Sequence, residues 1–195
     1  MAIKPVYNCF HPILNEPTLE FDNIDQEAFQ IAKDLQDTLN YISNGVGLAA
    51  NQIGYNKSIL LVDVRQIEEY ANTSPIIMIN PEIIYESDNK LEMQEGCLSV
   101  PDLYENVLRP EKVEVRYWDL SEKEIIKEFD GYIARVIQHE IDHLDGILFF
   151  QHLSSFKRTL IKNKLNKIRK GEILPDYSFI LPDGRLVIPE KKLTK

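Results

Sequence analysis

Between residues 25 and 44, Ala28, Phe29, Ile31, Ala32, Leu35, Leu39 and Ile42 recur at helical spacing. Asp25 is a capping residue at one end and Gly45 a stop at the other, so the pattern predicts a helix over 25–44. The period then shortens. Residues 58–64, 75–80 and 82–86 are short runs rich in Ile, Leu and Val and predict strands. Residues 112–119 alternate, with Val113, Val115 and Tyr117 on one face, which predicts a half-buried strand; 124–129 is placed to return as its hairpin partner. Gly131 opens a second helical stretch whose stripe is Ile133, Ile137, Ile141 and Leu144. A third, 154–170, carries Phe156, Leu160, Leu165 and Ile168 on one side. Further on, 177–181, the turn Pro182-Asp183-Gly184 and 185–188 predict a small hairpin. Strands first and a helix packed against them give an α+β class: antiparallel or mixed strands around a central helix, with an amphipathic helix towards the C-terminus. We expect residues 1–170 to form one catalytic domain, with 153–170 as its basic helix, and 171–195 to form a tail whose place the pattern does not give.

Composition narrows the class of protein. A chain of 195 residues, 44% hydrophobic and 27% charged, fits one globular domain with a substantial core. No apolar run approaches the roughly 20 residues that span a bilayer, and the first residues, Met1 to Tyr7, have neither a signal core nor transit character. A cytoplasmic, bacterial-type protein without a membrane partner is expected; an organelle form stripped of its targeting segment would read the same. Without a secretory signal, Cys9 and Cys97 are expected to be free thiols, Cys9 as a small buried hydrophobe. Charge is uneven. Residues 153–170 carry +7 with no acid, leaving −16 on the rest of a chain whose net charge is −9. That acidic body argues against DNA or other nucleic acid as substrate, while the basic stretch suits an anionic partner.

The chemistry is concentrated in Gln138-His139-Glu140-Ile141-Asp142-His143. On a helix its two imidazoles lie on one face, four residues apart, spaced to hold one metal ion, with Glu140 between them as a general base. Catalytic sites of this kind usually take a third protein ligand and leave one position open. Metalloproteases with an extended motif place a third His six residues beyond the second, but Phe149 stands there. Others use a later carboxylate, and no Asp or Glu occurs between Asp145 and Glu172. His152 is expected to start the basic helix on the far side. Upstream, Glu95-Gly96-Cys97-Leu98-Ser99-Val100-Pro101 puts a Cys in what reads as a tight extended loop, and a Cys/His/His set with an open position is a known catalytic arrangement. A third stretch, Gly45-Val46-Gly47-Leu48-Ala49-Ala50-Asn51-Gln52-Ile53-Gly54, is rich in small residues but lacks the Lys-Ser/Thr of a phosphate loop.

Together the three stretches resemble the peptide deformylase family, whose marks are Gly-φ-Gly-φ-Ala-Ala-x-Gln, Glu-Gly-Cys-φ-Ser and Gln-His-Glu-φ-Asp-His, with φ apolar. All occur here intact and in order, and the resemblance covers about residues 5–170. It implies removal of the formyl group from N-formylmethionyl nascent chains, with release of formate. It also implies Cys97, His139 and His143 as metal ligands, Glu140 as base, and Gln52 with the Leu98 amide as oxyanion donors. The native ion implied is Fe(II), with Zn, Ni or Co able to replace it. The peptide would lie as an added strand between Gly45-Val46-Gly47 and the loop around Gly96, with Val46, Tyr132 and Val136 lining a pocket for Met. Asp142 would orient Arg109 or the Cys loop. The basic helix, 154–170, resembles a ribosome-docking helix of bacterial members. One departure is Tyr104, where some bacterial members carry an Arg that holds the substrate backbone. The rival readings are a metalloprotease, which lacks a downstream ligand, and a non-catalytic metal module, which would close its fourth position with protein.

Overall fold

The computed structural model describes residues 3–42 and 44–189, so Met1, Ala2, Ser43 and the last residues of the tail, 190–195, lie outside it. The first helix, α1, spans Gln26–Tyr41, and the Asp25 side chain accepts a hydrogen bond from the Glu27 amide at its start. Strands β1 (Val6–Tyr7), β2 (Gly47–Ala49), β3 (Ile59–Val62) and β4 (Ile76–Glu86) precede the hairpin of β5 (Lys90–Cys97) and β6 (Val100–Pro110). Strands β7 (Lys112–Trp118) and β8 (Glu124–Asp130) follow, then α2 (Gly131–Leu144), α3 (Ser155–Lys170), β9 (Phe179–Ile180) and β10 (Leu186–Val187).

The central sheet runs β2-β3-β4-β7-β8, all antiparallel, with helices on both faces. Alternation along β3 assigns the faces. Leu60 and Val62 pack with Ala134, Ile137, Ile141 and Leu144 of α2, whereas Ile59 and Leu61 pack with Ile31, Leu35 and Leu39 of α1. A strand covered on both faces has no reason to alternate polar and apolar residues, and β3 does not. Each such side chain, fully buried, contributes about 1.5–3 kcal/mol. This burial fixes α2 against the sheet and so fixes the helix that carries the His pair.

Three expectations are corrected. The runs 75–80 and 82–86 are one strand, β4, whose ladder to β7 shifts register between Ile79 and Glu82. Asn80 sits there at φ 47, and its amide group both accepts from and donates to the Phe21 backbone at 2.9 Å. Asn is among the residues that tolerate the left-handed region, and the bonds to Phe21 hold it there, so the break marks a bulge and not a strand end. The stretch around Cys97 is the end of a strand and not a loop: β5 and β6 form a hairpin ladder from Lys90/Pro110 to Gly96/Tyr104. The α3 stripe is also different. Ile161 and Ile168 are its buried residues, and Phe156 and Leu160 are exposed.

Beyond α3 the chain returns to the body. β9 pairs in parallel with β1 and antiparallel with β10, closing a three-stranded sheet that joins the two ends of the described chain. Phe179 and Leu181 are buried there with Val6 and Ile42. Among the described residues no helix is long and apolar enough to cross a membrane.

Candidate metal centre and substrate cavity

Helix α2 presents His139, Glu140 and His143 into the space below β5, all nearly fully buried. Cys97 ends β5, and its Sγ lies 3.1 Å from His143 Nε2. One donor atom from each of Cys97, His139 and His143 falls within 4.8 Å of the others. One thiolate and two imidazoles are a donor set suited to Zn, Fe and neighbouring first-row ions. Both cysteines are free, Cys9 being buried and Cys97 half-buried. The donor atoms therefore fit a divalent cation.

Two residues before Cys97 on β5 stands Glu95. Its Oε2 meets His139 Nδ1 at 2.9 Å, which leaves Nε2 of that ring for the cluster. Glu95 also accepts from Arg109 Nε at 2.7 Å and Nη2 at 3.0 Å, and from Arg135 Nη1 at 2.7 Å. Burial opposes its ionisation, but the bonds from His139 and Arg109 prevail and hold its carboxyl well below the usual carboxylate range. Arg135 also donates to the Val107 carbonyl at 2.9 Å and to that of Leu91. Asp142 takes Arg109 Nη1 at 2.6 Å and His152 Nε2 at 2.7 Å. His152 is therefore beside the α2 network, not on the far side. The motif readings gave Glu95 and Arg135 no part; the place of Glu95 as first residue of the Glu-Gly-Cys-φ-Ser stretch was the one signal for it.

Glu140 lies against Gly47. A Cβ on Gly47 would stand 2.5 Å from Glu140 Oε1 and 2.8 Å from Val136 Cγ1, so only glycine admits β2 this close to α2. Glu140 Oε2 has no partner among the described residues, and burial pushes the carboxyl up to about 7, the nearby His139 opposing. A divalent cation beside it would favour the ionised form. Gln52 sits in the tight helical turn Ala50–Ile53, its Oε1 accepting from the Ala49 amide at 2.8 Å. That bond orients the amide group, so that Nε2 donates to Ser99 Oγ at 3.3 Å and approaches Cys97 Sγ at 3.6 Å. Asn51, which sequence reasoning left without a part, donates to the His143 carbonyl and ties this turn to α2.

A cavity of about 480 Å³ opens onto the cluster. It brings together Gly45, Val46, Gly47 and Gln52 from the first motif with Gly96, Cys97 and Leu98 from the second, and Tyr132, Val136, His139 and Glu140 from α2. Its size and mixed apolar and polar lining are those of a small-ligand or peptide-end site. Tyr104 lies over Gly96, where a Cβ would come within 2.5 Å of the ring, and is itself largely exposed.

Known proteins are similar to this chain in sequence and fold. The sequence model of the polypeptide deformylase family matches residues 3–159. The peptide deformylase of Agrobacterium fabrum is 39% identical over 173 residues, covering 89% of this chain and 100% of that protein. That of Bartonella quintana is 41% identical over 170 residues, 87% of this chain and 95% of the relative. Among solved structures, a peptide deformylase from Legionella pneumophila superposes with a TM-score of 0.77 at 34% identity, covering 88% of this chain and 98% of the other.

Proposed function

The chain belongs to the peptide deformylase family and removes the formyl group from the N-formylmethionine of new polypeptides; we propose that Cys97, His139 and His143 hold its metal and that Glu140, Gln52 and Leu98 carry the chemistry. The observation that supports this most is the convergence of three donor atoms within 4.8 Å beside a buried carboxylate, in a cavity open to a peptide end. A divalent cation held there supplies Lewis acidity and makes the proton of a nearby water easier to lose. Glu140 accepts that proton as the formyl carbon is attacked, then returns one to the departing amine nitrogen. The Gln52 Nε2 group and the Leu98 amide donate to the oxygen that gains negative charge. Val46, Tyr132 and Val136 surround the Met side chain, while the Gly45-Val46-Gly47 and Gly96 backbones hold the peptide as an added strand. Main-chain pairing accepts many sequences, as an enzyme acting on many nascent chains requires.

Fe(II) is the ion proposed, with Zn, Ni or Co suited to the same donors. The deciding experiment is formate release from a short formyl-Met peptide under anaerobic conditions, with metal analysis of the same sample. Formate release with about one metal per chain is expected. Internal peptide cleavage would favour a protease, and a bound metal without turnover would favour a metal module. Gln52→Leu tests the oxyanion role: turnover should fall by about 10²–10³ with metal retained, and near-normal turnover would remove Gln52 from the mechanism.

Helix α3 is proposed to dock on the ribosome. Arg158, Lys162, Lys167, Arg169 and Lys170 are exposed on it, and Phe156 and Leu160 leave 71% and 66% of their surface open among them. Cations around an apolar strip suit an anionic, partly apolar partner surface. Replacing Lys162, Lys167 and Lys170 with Glu should abolish co-sedimentation with ribosomes and leave turnover of a free formyl-peptide unchanged. Persistent co-sedimentation would refute docking through this helix.

A further inference from the structure

Residues Leu174, Pro175, Asp176 and Tyr177, beyond the 3–159 stretch that the family model matches, line the same cavity as the metal cluster. They are held there firmly. The Tyr177 hydroxyl donates to the Leu98 carbonyl at 2.7 Å, so the segment is tied to the residue after the Cys97 ligand. Just beyond, the Val6 amide donates to the Ser178 carbonyl and the Asn8 amide to that of Ile180, both at 2.9 Å, and Phe179 is fully buried. A segment anchored on both the β5–β6 turn and β1 is a wall of the cavity and not a loose end.

The charge on this wall has a direction. Among the described residues, Arg135 is the one Lys or Arg in the cavity lining, and it is buried and bound to Glu95 at 2.7 Å. Asp102, on the lining beyond Cys97, is paired with Lys164 of α3 at 3.0 Å. Asp176 is exposed and forms no ion pair among the described residues. Tyr104, on the same lining, adds no cation to balance it. Among the described residues, the cavity lining therefore presents an exposed, unpaired negative charge at Asp176.

We propose that the Leu174–Tyr177 segment is a specificity wall for the residues that follow formyl-methionine, and that Asp176 makes it favour peptides with Lys or Arg there over peptides with Asp or Glu. The proposal rests on the deformylase reading of the site, since it concerns the same substrate further along its chain. Charge pairs at exposed positions are weak individually, about 0.2–1 kcal/mol. Reversing one wall charge, however, acts on both the cationic and the anionic peptide and in opposite senses.

The test measures kcat/KM for formyl-Met tripeptides carrying Lys or Glu at the second or third residue, with the full-length, metal-loaded protein. Wild type should prefer the Lys peptides in at least one of the two series. Asp176→Lys should lower the Lys/Glu ratio in that series by about three- to tenfold at low ionic strength, and Asp176→Asn by less. At about 0.5 M salt the difference between the proteins should shrink, as screened charges require; a structural disturbance of the wall would persist. A ratio unchanged in both variants and both series, from an active wild type, overturns the wall's role and leaves the deformylase reading intact. A wild type that releases no formate from any of the peptides overturns both.

Discussion

Glu140→Ala should lower formate release by about 10²–10⁴ while the protein stays folded and keeps its metal. That loss corresponds to about 3–5 kcal/mol of barrier at 1.36 kcal/mol per decade. The size follows from one carboxylate serving two proton transfers, from the attacking water and to the leaving amine. Folding should survive because Glu140 supports little around it. Its Oε2 has no partner among the described residues, its burial opposes its own ionisation, and the Ala49 amide that approaches it keeps its bond to Gln52 Oε1 at 2.8 Å when the carboxylate is removed. The three donor atoms come from Cys97, His139 and His143 and not from Glu140. Turnover close to wild type, with metal content equal in both proteins, would show that another group moves the proton.

Glu95→Ala should do the reverse and act first on stability. Glu95 is 5% exposed and is the common acceptor for Arg109, Arg135 and His139. Arg109 and Arg135 are each 4% exposed, so neither can turn to water when the carboxylate goes. Breaking a buried charge pair by removing one partner typically costs about 3–5 kcal/mol. For a protein of this size that lowers Tm by about 6–20 °C. Asp142 still neutralises Arg109, and two carbonyls still accept from Arg135, which places the expected result short of complete unfolding. Because the folded carboxyl titrates below its unfolded value of about 4.3, its contribution is complete above about pH 5 and is lost as pH falls towards the folded value. The stability gap between wild type and Glu95→Ala should therefore narrow in acid. Thermal melts at neutral and acid pH check both points, and a Tm within about 2 °C of wild type at neutral pH would refute the network's importance.

Helix α2 was legible because its apolar stripe and its His spacing obey the same 3.6-residue period, so one pattern announces both packing and chemistry. The alternation of β7 was equally plain, since one face is buried and the other wet. The β5–β6 hairpin was hidden for the converse reason. Lys90 to Gln94 does alternate, with Leu91 and Met93 between polar residues, but the run is short and Leu91 is exposed, so the pattern is faint. What pairs it is the backbone ladder, and a ladder has no sequence signature. Glu95 belongs to the motif as letters, but its partners Arg109, Arg135 and His139 lie 14, 40 and 44 residues further along the chain. Only folding brings those charges together. The β4 bulge misled the reading because Asn80-Pro81 looks like a strand boundary, whereas the strand continues through it with the Asn80 side chain bonded to the Phe21 backbone.

The parallel pairing of β1 with β9 has a consequence in time. Val6 and Tyr7 leave the ribosome early, but their partners Phe179 and Ile180 are made more than a hundred and seventy residues later. Closing so long a loop is slow relative to local hairpins and helices. The α1–α2 body can gather as synthesis proceeds, whereas Tyr177 reaches the Leu98 carbonyl only near the end. An enzyme that edits the beginnings of other chains thus closes its own working groove late, when β9 meets β1.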